Sequence, residues 1–256
     1  MEFFDTQLLV HASEGRTSLE SSDPWISSVV AQEFLLFQKS GGESNDYYLP
    51  LVPKRDRGIW VSRALADYAR SHPPAARLRS GKRRTDSIIL EFGDTFPVTV
   101  EYSHRAIANA LNARMVPFIL AYAECVDAAS RRVIKSRLRF LCDVGIKCKP
   151  LTDRSARLAQ DLLRDFTERY TIKNNFRNTL NDIMILAIAL DERARLLTDD
   201  RLLAIFSEDF LTDTVLGSEN LYEIDLSEDV GKIDRRPPLE SKGYINSRWR
   251  VRYGPV

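Results

Sequence analysis

The sequence predicts a three-layer α/β fold, with a parallel sheet carrying helices on both faces. Three observations carry that expectation. Short apolar runs bounded by turn formers alternate with segments of helical periodicity, the pattern of β–α units. The 256 residues suffice for one large domain, or one domain with a sizeable insertion. The composition, 44% hydrophobic and 29% charged, is that of an ordinary globular chain.

The first element is "EFFDT", a short buried strand ending near Asp5, and "QLLVHA" starts a helix. Trp25 to Ser28 read as a second strand, entered through Pro24, followed by a helix that carries Glu33. Residues 39–58, "KSGGESNDYYLPLVPKRDRG", are rich in turn formers and mark a boundary. Beyond it, Trp60, Ala64, Leu65 and Tyr68 have helical spacing, "SHPPAARLRSGKRR" reads as a basic loop, and "SIILEF" and "PVTVEY" read as strands. From Ser103 to Gly145 the sequence is mostly helical, with Pro117 near a helix start.

"IKCKPLT" is the next strand. The helix after it takes Thr152 or Asp153 as its N-cap and carries an apolar stripe of Leu158, Leu162, Leu163, Phe166 and Tyr170. "TLNDIMILAIALDERA" is apolar nearly all round, which predicts a buried helix. "RLLT" is a short strand followed by Asp199 and Asp200, and "NLYEIDL" is the last strand of the sheet.

Several classes are excluded. No run approaches the roughly 18 apolar residues of a membrane span, and the N-terminus lacks the basic and apolar regions of a secretory leader, so a cytoplasmic location is expected. Three cysteines (Cys125, Cys142 and Cys148) with three histidines (His11, His72 and His104) supply neither a disulfide framework nor a zinc-binding spacing. "RSGKRRT" lacks the upstream glycine of a phosphate loop and the hydroxyl residue after Lys82.

The net charge of +1 hides an uneven distribution. Residues 54–84 hold ten Lys/Arg against Asp56 and Asp67, residues 131–149 hold seven against Asp143, and residues 235–252 hold six against Glu240. Residues 182–229 hold thirteen acids against Arg193, Arg195 and Arg201. Any one such run is ordinarily a solvated surface; three basic runs beside an acidic half point to a polyanionic partner.

Four acids stand in apolar settings. Asp182 lies in the most hydrophobic helix, Glu33 in "VVAQEFLLF", Asp5 behind two phenylalanines, and Asp200 behind "RLLT". In a parallel α/β sheet, functional groups gather outside the carboxyl ends of the strands, where Asp5 and Asp200 fall and where the helices of Glu33 and Asp182 begin. Gathered carboxylates repel one another, and a hard oxygen donor set suits Mg²⁺ or Mn²⁺. Each acid also has a structural alternative. Asp5 can cap the first helix, Glu33 can pair with a base, Asp182 can serve a helix N-terminus, and Asp200 can belong to a strand–helix turn.

At these residues the chain resembles a PIN-domain nuclease of the VapC-like ribonuclease superfamily. "FFDTQLLVHA" resembles the family's opening strand and Asp-Thr. "ISSVVAQEFLL" resembles its Glu-bearing helix, "LNDIMILAIAL" its Asp-bearing helix, and "RLLTDDRLLAIF" its Thr-x-Asp turn, in which Thr198 selects Asp200 over Asp199. The resemblance covers 1–38 and 116–226 as one discontinuous PIN-like (Rossmann-like) domain. It leaves 39–115 as an insertion and 227–256 as a basic C-terminal extension.

It implies catalytic and metal-binding roles for Asp5, Glu33, Asp182 and Asp200, with Thr6, Asn181 and Thr198 as supporting polar residues. It implies a Mg²⁺/Mn²⁺-dependent endoribonuclease, with a toxin–antitoxin or defence setting. The expected partners are an RNA substrate, an antitoxin or other inhibitory protein, and a second copy of the chain, with no membrane. Lys82, Arg83 and Arg84, and Arg248, Trp249 and Arg250, are the candidate nucleic-acid contacts, by charge and base stacking. "SRWRVRY" can equally be an edge strand. The alternative function is a non-catalytic PIN-like module that binds RNA or protein. A phosphoacceptor receiver domain fits poorly, because "FFDTQ" has one acid where that fold needs a pair.

Overall fold

Very short links between strand and helix shape the architecture. A computed structural model describes residues 1–36, 88–92, 96–102, 104–114, 116, 120, 128–172, 176–211, 214–216, 221–227 and 249–253. Strand β1 (Glu2–Phe4) passes through Asp5 alone into helix α1 (Thr6–Ser13). Strand β2 (Pro24–Ser27) runs directly into α2 (Ser28–Phe34), and the Ser27 hydroxyl accepts a hydrogen bond from the Val30 amide at 3.0 Å as N-cap. Both links leave no room for a loop, so the residues at the strand ends are held on the sheet.

The described elements continue with β3 (Ile88–Phe92), β4 (Phe96–Tyr102), α3 (His104–Asn112), α4 (Ala128–Val144) and β5 (Lys147–Lys149). Then come α5 (Asp153–Arg169), α6 (Phe176–Asp191), β6 (Arg195–Thr198), α7 (Arg201–Phe210), β7 (Thr214–Leu216), β8 (Tyr222–Asp225) and β9 (Trp249–Tyr253). The strands expected at "SIILEF" and "PVTVEY" form as β3 and β4, and Thr152 caps α5 in a reciprocal box with Ser155. The expected helix around Trp60 lies outside the described residues.

Six strands form the main sheet in the order β5-β2-β1-β6-β8-β7. β5, β2, β1 and β6 are parallel, so their carboxyl ends share one edge. The expectation of a parallel sheet needs correction at its far side, where β8 pairs antiparallel with both β6 and β7. Only residues 217–221 separate β7 from β8, and a parallel pairing needs a crossover of about a dozen residues or more. The fold is mixed α/β with a mostly parallel sheet.

A second sheet, of order β4-β3-β9, is antiparallel throughout. It joins two strands of the segment after residue 39 to a strand from the C-terminal segment, and β9 lies at its edge. By contrast α3, also within 39–115, packs on the main sheet, with Ile107, Ala108, Ala110 and Leu111 buried in the common core.

That core is centred on α6, where Ile183 to Ala189 are all buried, as the apolar helix predicts. Phe166 of α5 meets Phe206 of α7 edge-on at 5.2 Å between ring centroids, tying two helices together. At the β5 edge of the main sheet, Asn112 takes the place of a neighbouring strand. Its Nδ2 donates to the Cys148 carbonyl and its Oδ1 accepts from the Cys148 amide, both at 2.8 Å. An edge strand otherwise offers such groups to other chains.

Asn112→Ala removes both bonds at a site that water reaches. The expected cost is about 1 kcal/mol, read as a lower urea midpoint with an unchanged slope.

Candidate functional site

The order of the sheet creates the site. From β1 the chain moves outward to β2 and β5 on one side, whereas β6 lies on the other side of β1. Connections leaving β1 and β6 therefore diverge, and such a reversal opens a crevice at the carboxyl edge. Asp5 follows β1 there, and Asp199 and Asp200 follow β6.

Asp5 is 6% exposed. Its Oδ1 accepts from the Thr6 amide at 2.6 Å, which makes it the N-cap of α1. Its Oδ2 accepts from the Thr198 hydroxyl at 2.7 Å. That hydroxyl in turn accepts from the Asp200 amide at 3.0 Å. On the other side, the Thr6 hydroxyl donates to Glu33 Oε2 at 2.5 Å, and Asn181 Nδ2 donates to Glu33 Oε1 at 2.6 Å. One chain of contacts thus runs Asp200–Thr198–Asp5–Thr6–Glu33–Asn181 and reaches the residue before Asp182. Of the three residues expected in support, Thr6 and Thr198 are its links and Asn181 is its end.

Asp200 also has a structural task. Its Oδ1 accepts from the amides of Leu202 and Leu203 at 2.7 and 3.0 Å, capping α7. The capping alternatives for Asp5 and Asp200 and membership of the cluster therefore hold together. Asp182 differs: it is half-buried and accepts no hydrogen bond among the described residues.

The electrostatics follow from this crowding. Burial pushes the Asp5 carboxyl up to about 7, against the hydrogen bonds from Thr198 and Thr6, and the Glu33 and Asp199 charges push the same way. Asp182 is held well above the ordinary carboxylate range, first by burial and then by the charges of Asp5, Glu33 and Asp200. The four expected acids thus share one field.

Sequence reasoning set Asp199 aside. The structure brings it close enough to act on Asp5 and gives it a neighbour, with His11 Nδ1 3.9 Å from its Oδ2. Burial raises Asp199, and His11 partly offsets this. Its position directly after Thr198 was the available signal.

The donor set, all oxygen, suits a hard divalent cation, and the unpartnered Asp182 carboxyl among three others calls for a proton or a cation. As the side chains stand, no three acid, histidine or cysteine side chains among the described residues converge on a single ion position. The oxygens of Asp5 and Glu33 are turned to Thr6, Thr198 and Asn181 instead. A carboxylate carries about four lone-pair positions, so such bonds leave capacity for an ion.

Of the expected nucleic-acid contacts, Lys82, Arg83, Arg84 and Arg248 lie outside the described residues. Trp249 and Arg250 begin β9. Among the described residues no helix is long and apolar enough to cross a membrane. Compared with protein-family models, curated proteins and solved structures, the chain matches none.

The raised Asp5 fixes a pH dependence. Between 3.8 and about 7 the folded chain keeps a proton that the unfolded chain has lost. The contribution to stability is therefore present at low pH, falls as pH rises through that window, and is level above it. Asp5→Asn removes the ionisation. Its stability relative to wild type, without divalent cation and followed by melting temperature, is expected to rise between about pH 4 and pH 8, by at most about 4 kcal/mol. A pH-independent difference would contradict the assignment.

Proposed function

We propose that the chain is a PIN-like, three-layer α/β nuclease that uses Mg²⁺ or Mn²⁺ to hydrolyse RNA phosphodiester bonds. The observation that carries the reading is the joined set of acids. Asp5, Glu33, Asp182 and Asp200 come from four elements, and their supporting residues link three of them. No single structural role requires that arrangement.

In this reading Asp5, Glu33, Asp182 and Asp200 hold the cation. When bound, it supplies charge stabilisation to a phosphate and acidifies water. The chain's own contribution is orientation. Thr198 and the Thr6 amide fix the Asp5 carboxylate, and the Thr6 hydroxyl and Asn181 fix Glu33. The α1 and α7 N-termini, capped by Asp5 and Asp200, bring positive dipole ends to the same edge and temper its negative charge. Asp5 and Asp182 are pushed toward the protonated form, so a bound cation would compete with protons at these two carboxyls. A toxin–antitoxin or defence setting, with an antitoxin or other inhibitory protein and a second copy as partners, belongs to the same proposal.

One observation favours the second reading, a non-catalytic PIN-like module that binds RNA or protein: no three of these side chains stand ready around one ion. Titration with Mn²⁺ separates the two, since an interaction module neither binds the ion at this edge nor turns over RNA.

Asp5→Asn and Asp182→Asn are each expected to abolish cation-dependent cleavage of RNA with an unchanged circular dichroism spectrum. Asn181→Ala, which releases Glu33 Oε1, is expected to lower activity about 10- to 100-fold. Full activity in either aspartate variant removes these acids from the chemistry.

A further inference from the structure

The basic run at 131–149 gains a definite shape. Residues 131–144 of it fall on α4, whose 17 residues carry Arg131, Arg132, Lys135, Arg137 and Arg139 against the single acid Asp143. Ile134, Leu138 and Leu141 are buried and fix the inward face. Arg132, Lys135 and Arg139 are exposed and follow one another at steps of three and four, so they form one stripe on the solvent face. Arg132 and Arg139 make no ion pair with any described residue.

This stripe is unfavourable to the helix itself. Like charges one turn apart, as at Lys135 and Arg139, destabilise a helix, and cations near its N-terminus oppose its dipole. An ordinary solvated helix intersperses both signs. Only Asp143, one turn beyond Arg139, interrupts the basic face, and proteins break such local rules most often at functional sites.

The helix is placed to serve the carboxylate edge. Two residues, Gly145 and Ile146, link its C-terminus to the amino end of β5; a helix so joined to a parallel strand runs back along it, with its N-terminal half toward the carboxyl side of the sheet. Arg137 fixes the height. Its Nη1 donates to the Phe34 carbonyl at 2.8 Å, one residue beyond Glu33, and its guanidinium lies over the Phe34 ring. Arg132 lies five residues closer to the N-terminus, about 7.5 Å further along the axis toward that edge.

We propose that the solvent face of α4, through Arg132, Lys135 and Arg139, is a track for the phosphate backbone of single-stranded RNA leading to the carboxylate edge. The occupant follows from charge: the site repels anions, so a polyanion must be held by cations set beside it. The inference rests on the nuclease reading for its substrate, and its test is independent of cleavage.

The test is binding of a labelled mixed-sequence single-stranded RNA to the full chain in EDTA, followed by fluorescence anisotropy over a range of salt. Arg132→Gln/Arg139→Gln is expected to weaken binding at least tenfold. Loss of two phosphate contacts should also flatten the slope of log K against log salt by about 1.4. Arg132→Lys/Arg139→Lys keeps both charges and is expected to retain binding, which guards against a folding defect. Unchanged affinity and slope in the glutamine variant overturn the track, as does absence of RNA binding by the parent chain. Poly-glutamate competing as well as RNA also overturns it, in favour of an acidic protein partner. The nuclease reading fails separately, as no hydrolysis of bis(p-nitrophenyl) phosphate by the wild-type chain with Mn²⁺.

Discussion

Burial of carboxyl groups at one edge of the sheet is the constraint on which the rest of the site depends. Charged carboxylates packed against a core are costly unless they are neutralised, and here two of them, Asp5 and Asp182, are pushed toward the protonated form. The hydroxyl of Thr198, the amide and hydroxyl of Thr6, and the side chain of Asn181 each hold a carboxylate oxygen in place. The arrangement favours protonated and hydrogen-bonded acids, and in the proposed nuclease a divalent cation would take the place of the protons. In the proposed nuclease, stability would be given up for a site of high negative potential, the usual direction of such a trade.

The fold delivers these groups economically. A one-residue link puts Asp5 at the end of β1, and a two-residue link puts Asp199 and Asp200 at the end of β6. The strands are hydrogen-bonded neighbours, with Phe4 opposite Leu197, and the Asp5 amide donates to the Leu197 carbonyl at 3.0 Å. Their acids therefore meet without any long loop to position them. Glu33 and Asn181 arrive from helices whose apolar surfaces are buried in the common core, so their reach is set by packing. Arg137, bonded to the end of the helix that carries Glu33, connects this centre to the basic helix beside it.

Much of this was legible in the residues. An acid interrupting an apolar run is conspicuous, and four such interruptions in parallel-sheet settings pointed to one edge. The buried helix from Ile183 to Ala189 was visible because no polar face interrupts it. The antiparallel side of the sheet was not visible, because three residues of β7 give too short a pattern to announce a strand before β8. Asp199 was passed over because a motif allows only one acid after Thr198, whereas the electrostatic field counts every nearby charge. The place of α3 in the main core was hidden by its position after the segment that begins at residue 39. Asn112 covering the edge of β5 depends on a contact across 36 positions, which no local pattern encodes.

The central claim is that a divalent cation replaces protons on this cluster. Calorimetric titration of the wild-type chain with Mn²⁺, in two buffers of different ionisation enthalpy, tests it most directly. At about pH 6 the account predicts binding with release of protons, the Asp5 share of it fading above about pH 8 as that carboxyl ionises on its own. It also predicts that Asp5→Asn reduces that release. Absence of Mn²⁺ binding, or binding with no proton exchange at about pH 6, would contradict it.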